Sequence, residues 1–195
     1  MKKIYFTLVL SLLAMNVFGQ SFNFQTDEEN EPYVSGQIEY DCSAESAWKR
    51  MVSYVKSTYT SDHNEVTVDE DARTIVVTGC RENSKVAYNP FAGAFTENIM
   101  YTLNLKHNEN GKVYYSFNSL SLNSQAAGFA NYNKDMSVRT ILKDYKRAQE
   151  AMTNTSLSKK EQKEAQKTVK DIETSLSKAY EVLINRVNSI KAEVE

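Results

Sequence analysis

The stretch NIMYTLNLKHNENGKVYYSFNS, residues 98–119, decides the fold. Ile99, Tyr101, Leu103 and Leu105 alternate with Asn98, Met100, Thr102 and Asn104. Val113, Tyr115 and Phe117 alternate in the same way with Tyr114, Ser116 and Asn118. A period of two puts alternate residues on opposite faces of a strand. NENG, 108–111, separates the runs with residues suited to a tight turn. The segment predicts an antiparallel hairpin whose apolar register faces a core, and a slip of one residue would turn that whole register to water.

Upstream, EVTVD (65–69) and RTIVVTG (73–79) flank Glu70, Asp71 and Ala72 as a second hairpin. Before it, Ala44, Ala47, Trp48, Met51, Val52, Val55 and Tyr59 recur at spacings of three and four, which predicts a helix with one apolar face, capped by Asp41 or Ser43. YVSGQIEY (33–40) alternates Val34, Ile38 and Tyr40 as a strand, with Gly36 as a bulge or a point of close approach. Residues 20–32 are polar and acidic and end at Pro32, the composition of a disordered leader.

Downstream, Val138, Ile141, Leu142, Tyr145, Ala148 and Met152 mark a helix from Ser137 that breaks at TNTS, 153–156. A longer helix follows from about Ser158, with Val169, Ile172, Leu176, Ala179, Leu183, Val187, Ile190 and Val194 as its apolar stripe. The short link predicts that the two fold back as an antiparallel pair. The stripe then packs within the chain or offers a homo-oligomer contact through residues 158–195.

The N-terminus reads as a secretory signal: Lys2 and Lys3, an apolar run from Ile4 to about Met15, then Val17-Phe18-Gly19. That run is shorter than the roughly 18 residues a spanning helix needs, so cleavage near Gly19 is expected rather than a stable membrane anchor. No cysteine follows the exit site to take a lipid. The chain divides into a signal peptide (1–19), an acidic leader (20–32), an α+β domain (33–152) and a C-terminal helical extension (153–195). Losing Lys2 and Lys3 takes the formal charge from −2 to −4, which predicts a periplasmic or secreted protein without the basic field that nucleic acid requires.

YVSGQIEYDCSAESAWKRMVSYVKS (33–57), leading into VTVDEDARTIVVTG (66–79), resembles an uncharacterised family of exported Bacteroidetes proteins whose domain is similar to one half of the TATA-box-binding-protein fold. The resemblance spans residues 33–152. It implies an α+β fold with an antiparallel sheet of about five strands in the order β-α-β-β-β-β-α, and the C-terminal helical hairpin stands outside it. No activity comes with it, and DNA binding does not follow from shape.

Chemistry-bearing residues are sparse. His63 lies in the polar turn SDHNE and His107 at the mouth of the NENG turn, with no spacing typical of a metal site, so no metal and no cofactor are expected. Asp69, Glu70 and Asp71 lack the spacing of a calcium loop. There is no GxSxG elbow and no glycine-rich phosphate loop. Cys42 could pair with either histidine as a nucleophile, but it sits where a strand meets a capped helix, a common place for an inert thiol. A Cys42–Cys80 disulfide stays open, since an exported chain meets oxidising conditions.

Two segments stand out: SKVAYNPFAGAF (84–95), with Val86, Tyr88, Pro90, Phe91 and Phe95, and QAAGFANY (125–132), with Phe129 and Tyr132. Read as surface loops, they present aromatic groups either to the core as a lid or to a partner. Tyr88, Pro90, Phe91, Phe95, Phe129 and Tyr132 are the candidate partner-binding residues. The sequence as a whole predicts a non-catalytic binding or scaffolding module of the cell envelope, its partner an envelope protein or a small ligand. An enzyme built on Cys42 and an oligomerising spacer are the alternatives.

Overall fold

The computed structural model describes residues 22–89, 93–108, 110–127 and 132–195. The expected signal peptide, 1–19, lies outside them. Ten elements follow in order: β1 (Gln25–Thr26), β2 (Pro32–Glu39), α1 (Ala44–Thr58), β3 (Glu65–Asp69), β4 (Thr74–Asn89), β5 (Gly93–Asn108), β6 (Lys112–Ala127), β7 (Tyr132–Ser137), α2 (Val138–Thr153) and α3 (Lys159–Val194). The fold is α+β, with one antiparallel sheet in the order β1-β2-β6-β5-β4-β3. β2 pairs with the first part of β6 (Ile38 opposite Val113) and β7 with its last part (Leu122 opposite Met136). Both lie along the edge of β6 that β5 leaves open.

The central hairpin forms in the register its alternation demands. Leu103 pairs with Phe117 and Leu105 with Tyr115, and Ile99, Leu103, Leu105, Val113 and Phe117 have almost no exposed surface. α1 is capped by Ser43, whose Oγ accepts from the Ser46 amide at 3.2 Å. Trp48, Met51 and Val55 from α1 are buried with this register. α3 begins with a reciprocal capping box, the Ser158 amide donating to Glu161 Oε2 (2.8 Å) and the Glu161 amide to Ser158 Oγ (3.3 Å). Its 36 residues make a rod about 54 Å long. The early part lies on α2, where the Tyr145 hydroxyl donates to Glu173 Oε1 at 2.7 Å, and the later part reaches α1 and the sheet. The stripe Val169, Leu176, Ala179, Leu183, Ile190 and Val194 is buried within the chain.

The structure corrects three expectations and decides one alternative that the sequence left open. The leader is not free over residues 22–32: Phe22 is buried, with ring centroids 5.8 Å from Phe24 and 6.0 Å from Tyr145, and Gln25–Thr26 pairs with β2. The two phenylalanines supply apolar area that an average over acidic residues conceals, and Asp27 Oδ1 closes the acidic turn by accepting from the amides of Glu29 and Glu31.

The segments 84–95 and 125–132 are not simply loops. β4 and β6 run to Asn89 and Ala127, and β5 and β7 start at Gly93 and Tyr132. Register shifts between Val77 and Cys80, between Asn83 and Lys85, and between Met100 and Thr102 break the side-chain alternation while the backbone ladder continues. The periodic signal stops there although the strands do not. Gly79 (φ 69°) and Ser119 (φ 54°) take the left-handed backbone at two of these shifts.

His107 is not a solvated turn residue. It occupies the inward register of β5, 5% exposed, with Nε2 2.7 Å from the Tyr40 hydroxyl and the two rings stacked at 5.3 Å. Finally, the Cys42–Cys80 disulfide is not formed: both thiols are free, Cys80 buried in the sheet and Cys42 half-buried with its thiol donating to the Val194 carbonyl at 3.1 Å.

Candidate functional site

Three helices cover one face of the sheet, and no described element covers the other. The register sets two rows of side chains across four strands on this open face. Ser35, Ser116, Asn104 and Val76 form one row, and Gln37, Tyr114, Lys106 and Thr74 form the other. Between them runs a trough of about 650 Å³, whose floor is the backbone of Gly36, Tyr115, Leu105 and Ile75.

Among the described residues, Lys106 is the one charged side chain lining the trough. The other polar groups are hydroxyls and amides that both donate and accept, with Tyr114, 42% exposed, as an aromatic face. Asn104 and Asn118 donate to Ser116 Oγ at 3.5 and 3.0 Å. Lys112, just beyond the row, is spent on Glu39 (3.4 Å) and Gln37 Oε1 (3.5 Å). Such a surface can hold a neutral polar ligand by hydrogen bonds and stacking, and it has little with which to neutralise a phosphate backbone.

The nominated residues fall elsewhere. Tyr88 lies in β4 opposite Ala94, and Tyr132 in β7 opposite Ala126, both near hairpin ends. Phe95 is half-buried in β5, with the Lys85 ammonium 5.9 Å from its ring centroid. Pro90, Phe91 and Phe129 lie outside the described residues. The trough was missed because its residues form the polar half of a two-residue alternation, which reads as a solvated face. The signal that could have found it was their type: Ser, Asn, Thr, Gln and Tyr where a plain solvated face carries mostly Lys and Glu.

Under the helices lies a second cluster that periodicity could not show. Arg186 from α3 forks onto Glu82 of β4, Nε to Oε1 and Nη2 to Oε2, each at 3.0 Å, and its Nη1 donates to the Tyr54 hydroxyl at 2.7 Å. The Tyr101 hydroxyl also donates to Glu82, and Tyr59 and Tyr101 meet at 3.2 Å. Burial is the strongest single influence on Arg186 and works against its charge, but the bond to Glu82, the Tyr59 phenol and the bond to Tyr54 together outweigh it and hold the guanidinium above its ordinary value. Burial raises both phenols, Tyr59 and Tyr101. It also pushes the neighbouring Cys80 thiol up to about 12. This is a structural lock rather than a nucleophile's setting, since a reactive thiol needs its pKa lowered.

The Cys42 dyads are not brought together. The Cys42 thiol donates to Val194 and Ser43 carbonyls, His63 is exposed in its turn, and no thiol–imidazole hydrogen bond forms among the described residues. Nor do any three His, Cys, Asp or Glu side chains among the described residues converge as a metal site requires.

No family model matches the chain, and no curated protein matches it. Among solved structures, it is similar to a TBP-like protein from Parabacteroides distasonis ATCC 8503, at 11% identity and a TM-score of 0.54, over 84% of this chain and 92% of that one. The fold is TBP-like. A DUF4468 family protein from Bacteroides ovatus ATCC 8483 also matches, at 12% identity and a TM-score of 0.44, over 76% of this chain and 86% of that one. In the TBP-like sheet seen here, helices back one face and the trough occupies the other.

Proposed function

We propose that this chain is an exported, non-catalytic binding module of the bacterial cell envelope that takes its partner on the uncovered face of the sheet. The trough between the Ser35–Val76 and Gln37–Thr74 rows carries the reading, because it joins paired donors and acceptors to an exposed aromatic ring over four adjacent strands. Export rests on the Lys2-Lys3 head and the apolar run behind it. A nucleic-acid partner is set aside because, among the described residues, Lys106 alone brings positive charge to the trough lining.

The test places a photo-crosslinking residue at Tyr114 or Thr74, with Lys160 on α3 as the control, in cells of a Bacteroides-type host. Discrete adducts are expected from the two trough sites and not from Lys160. If the trough sites stay silent, the reading fails, and adducts at Lys160 would move the binding surface to the helices. Fractionation of the same cells checks export: a chain found only in the cytoplasm would remove the envelope role.

A further inference from the structure

On the helix side of the sheet, away from the trough, β5, β6 and β7 meet α2 and α3 around a pocket of about 200 Å³. Its walls are Leu122, Met136, Ile141 and Ile172, and Glu97 stands among them. Glu97 is only 6% exposed. One carboxylate oxygen, Oε2, accepts from the Ser124 hydroxyl at 3.3 Å, while the other, Oε1, is fully buried without a hydrogen-bond partner. Leaving a buried acceptor unpaired is costly, and more so for a charged group. Asp144 and Asp171 add two further carboxylates to the lining.

Lysines stand close without meeting the need. Lys85 is the cross-strand neighbour of Glu97, yet its ammonium is turned over Phe95. Lys134 lines the pocket from β7, next to Ser124 in the ladder, but is exposed and forms no ion pair with Glu97, Asp144 or Asp171. The pocket is too small for a drug-sized molecule and wide enough for one unbranched chain.

We infer that this pocket binds a primary ammonium carried on an apolar stem, with Glu97 Oε1 taking the charged head and Leu122, Met136, Ile141 and Ile172 the stem. The acceptor fixes the sign of the ligand's head, and the walls fix its tail. Two sources share that chemistry: a small alkylamine and a lysine side chain of another protein.

The experiment follows the Met136 methyl resonance of the full chain during titration with n-butylammonium, and with n-butanol as the uncharged counterpart. Nα-acetyl-lysine-methylamide forms the second arm. A saturable shift with the ammonium and none with the alcohol is expected, weakened about tenfold or more in Glu97→Gln, which is roughly 1.4 kcal/mol. Asp171→Asn, at the exposed rim, is expected to weaken binding two- to threefold and guards against a Glu97→Gln chain that fails to fold. Tighter binding of the lysine amide points to a protein source; equal binding points to a free amine. No saturable shift in the wild type, equal response to n-butanol, or an affinity unchanged in both variants overturns the inference. So does binding that appears only in Lys134→Gln, since the chain's own lysine would then fill the site.

Discussion

Gly36 shows how one residue's reading is settled by its cross-strand partner. Both a bulge and a close approach suit a glycine in a strand, and the structure shows the second: Gly36 pairs with Tyr115, whose hydroxyl would lie 2.5 Å from a Cβ placed there. The tyrosine ring fills the space the glycine leaves. Gly36→Ala is therefore expected to cost about 1–3 kcal/mol through displacement of that ring. In a Tyr115→Ala background the same change should be neutral or stabilising by about 0.5–1 kcal/mol, since alanine suits a strand better than glycine. Urea unfolding of the four chains measures this cycle, and an equal cost in both backgrounds would remove the packing account. The thiols give a second residue-scale prediction. Cys80, buried and pushed up to about 12, should stay silent to a thiol reagent at neutral pH until the chain is unfolded, whereas half-buried Cys42 should react slowly. Reaction of Cys42 faster than that of a free thiol in solution would revive the nucleophile reading. At this scale the sequence was legible where a residue's role depends on near neighbours, as for Ser43, one of the two caps offered for α1. It was illegible for Glu82 and Arg186, which lie 104 positions apart and whose pairing only the packing of α3 creates.

Among the elements, the strongest periodic signals were found intact: α1, β3, the central hairpin and both C-terminal helices stand where their apolar spacing placed them. The extensions of β4, β5 and β6 went unread because bulges scramble alternation, and β1 because two residues carry no period. What fixes α3 to the sheet is partly polar, and that can be measured. Arg186→Ala should cost about 2–4 kcal/mol, on the low side for a broken buried pair because 18% of Arg186 and 23% of Glu82 remain exposed. Arg186→Lys keeps the charge but loses the fork, and should recover less than half of that loss. If Arg186→Ala is neutral in urea unfolding, the lock contributes nothing. The phenols of the same cluster set an alkaline limit. Burial holds Tyr59 and Tyr101 above their ordinary value, so their contribution is fully present below about pH 10, where a free phenol titrates, and is lost as pH rises from there towards their folded values. Stability should be flat from about pH 7 to 9 and fall beyond, with a shallower fall in Tyr101→Phe. An identical alkaline fall in that variant would place the cause elsewhere.

For the whole molecule, the question is whether α3 is an appendage or part of the domain. Sequence reading set a boundary at residue 153 because the extension stands outside the resemblance, and an appendage of that kind can be removed while the domain beside it stays folded. The packing argues the opposite. Val169, Leu176, Leu183, Ile190 and Val194 are buried, the far end of the helix receives the Cys42 thiol through the Val194 carbonyl, and Arg186 reaches Glu82 midway along β4. Each large aliphatic side chain exposed costs about 1.5–3 kcal/mol. The core surface that these five cover, left bare by truncation, is worth about 7.5–15 kcal/mol on that scale, comparable with the roughly 5–15 kcal/mol by which a domain is stable at all. Truncation after Met152 should therefore not yield a folded monomer that has merely stopped self-associating. It should yield a chain without near-ultraviolet circular dichroism or a cooperative thermal transition, with Trp48 exposed to quencher. A truncated chain that keeps a cooperative transition within a few degrees of the full chain would show that the 33–152 unit folds alone, and would return α3 to the role of an extension free for self-association.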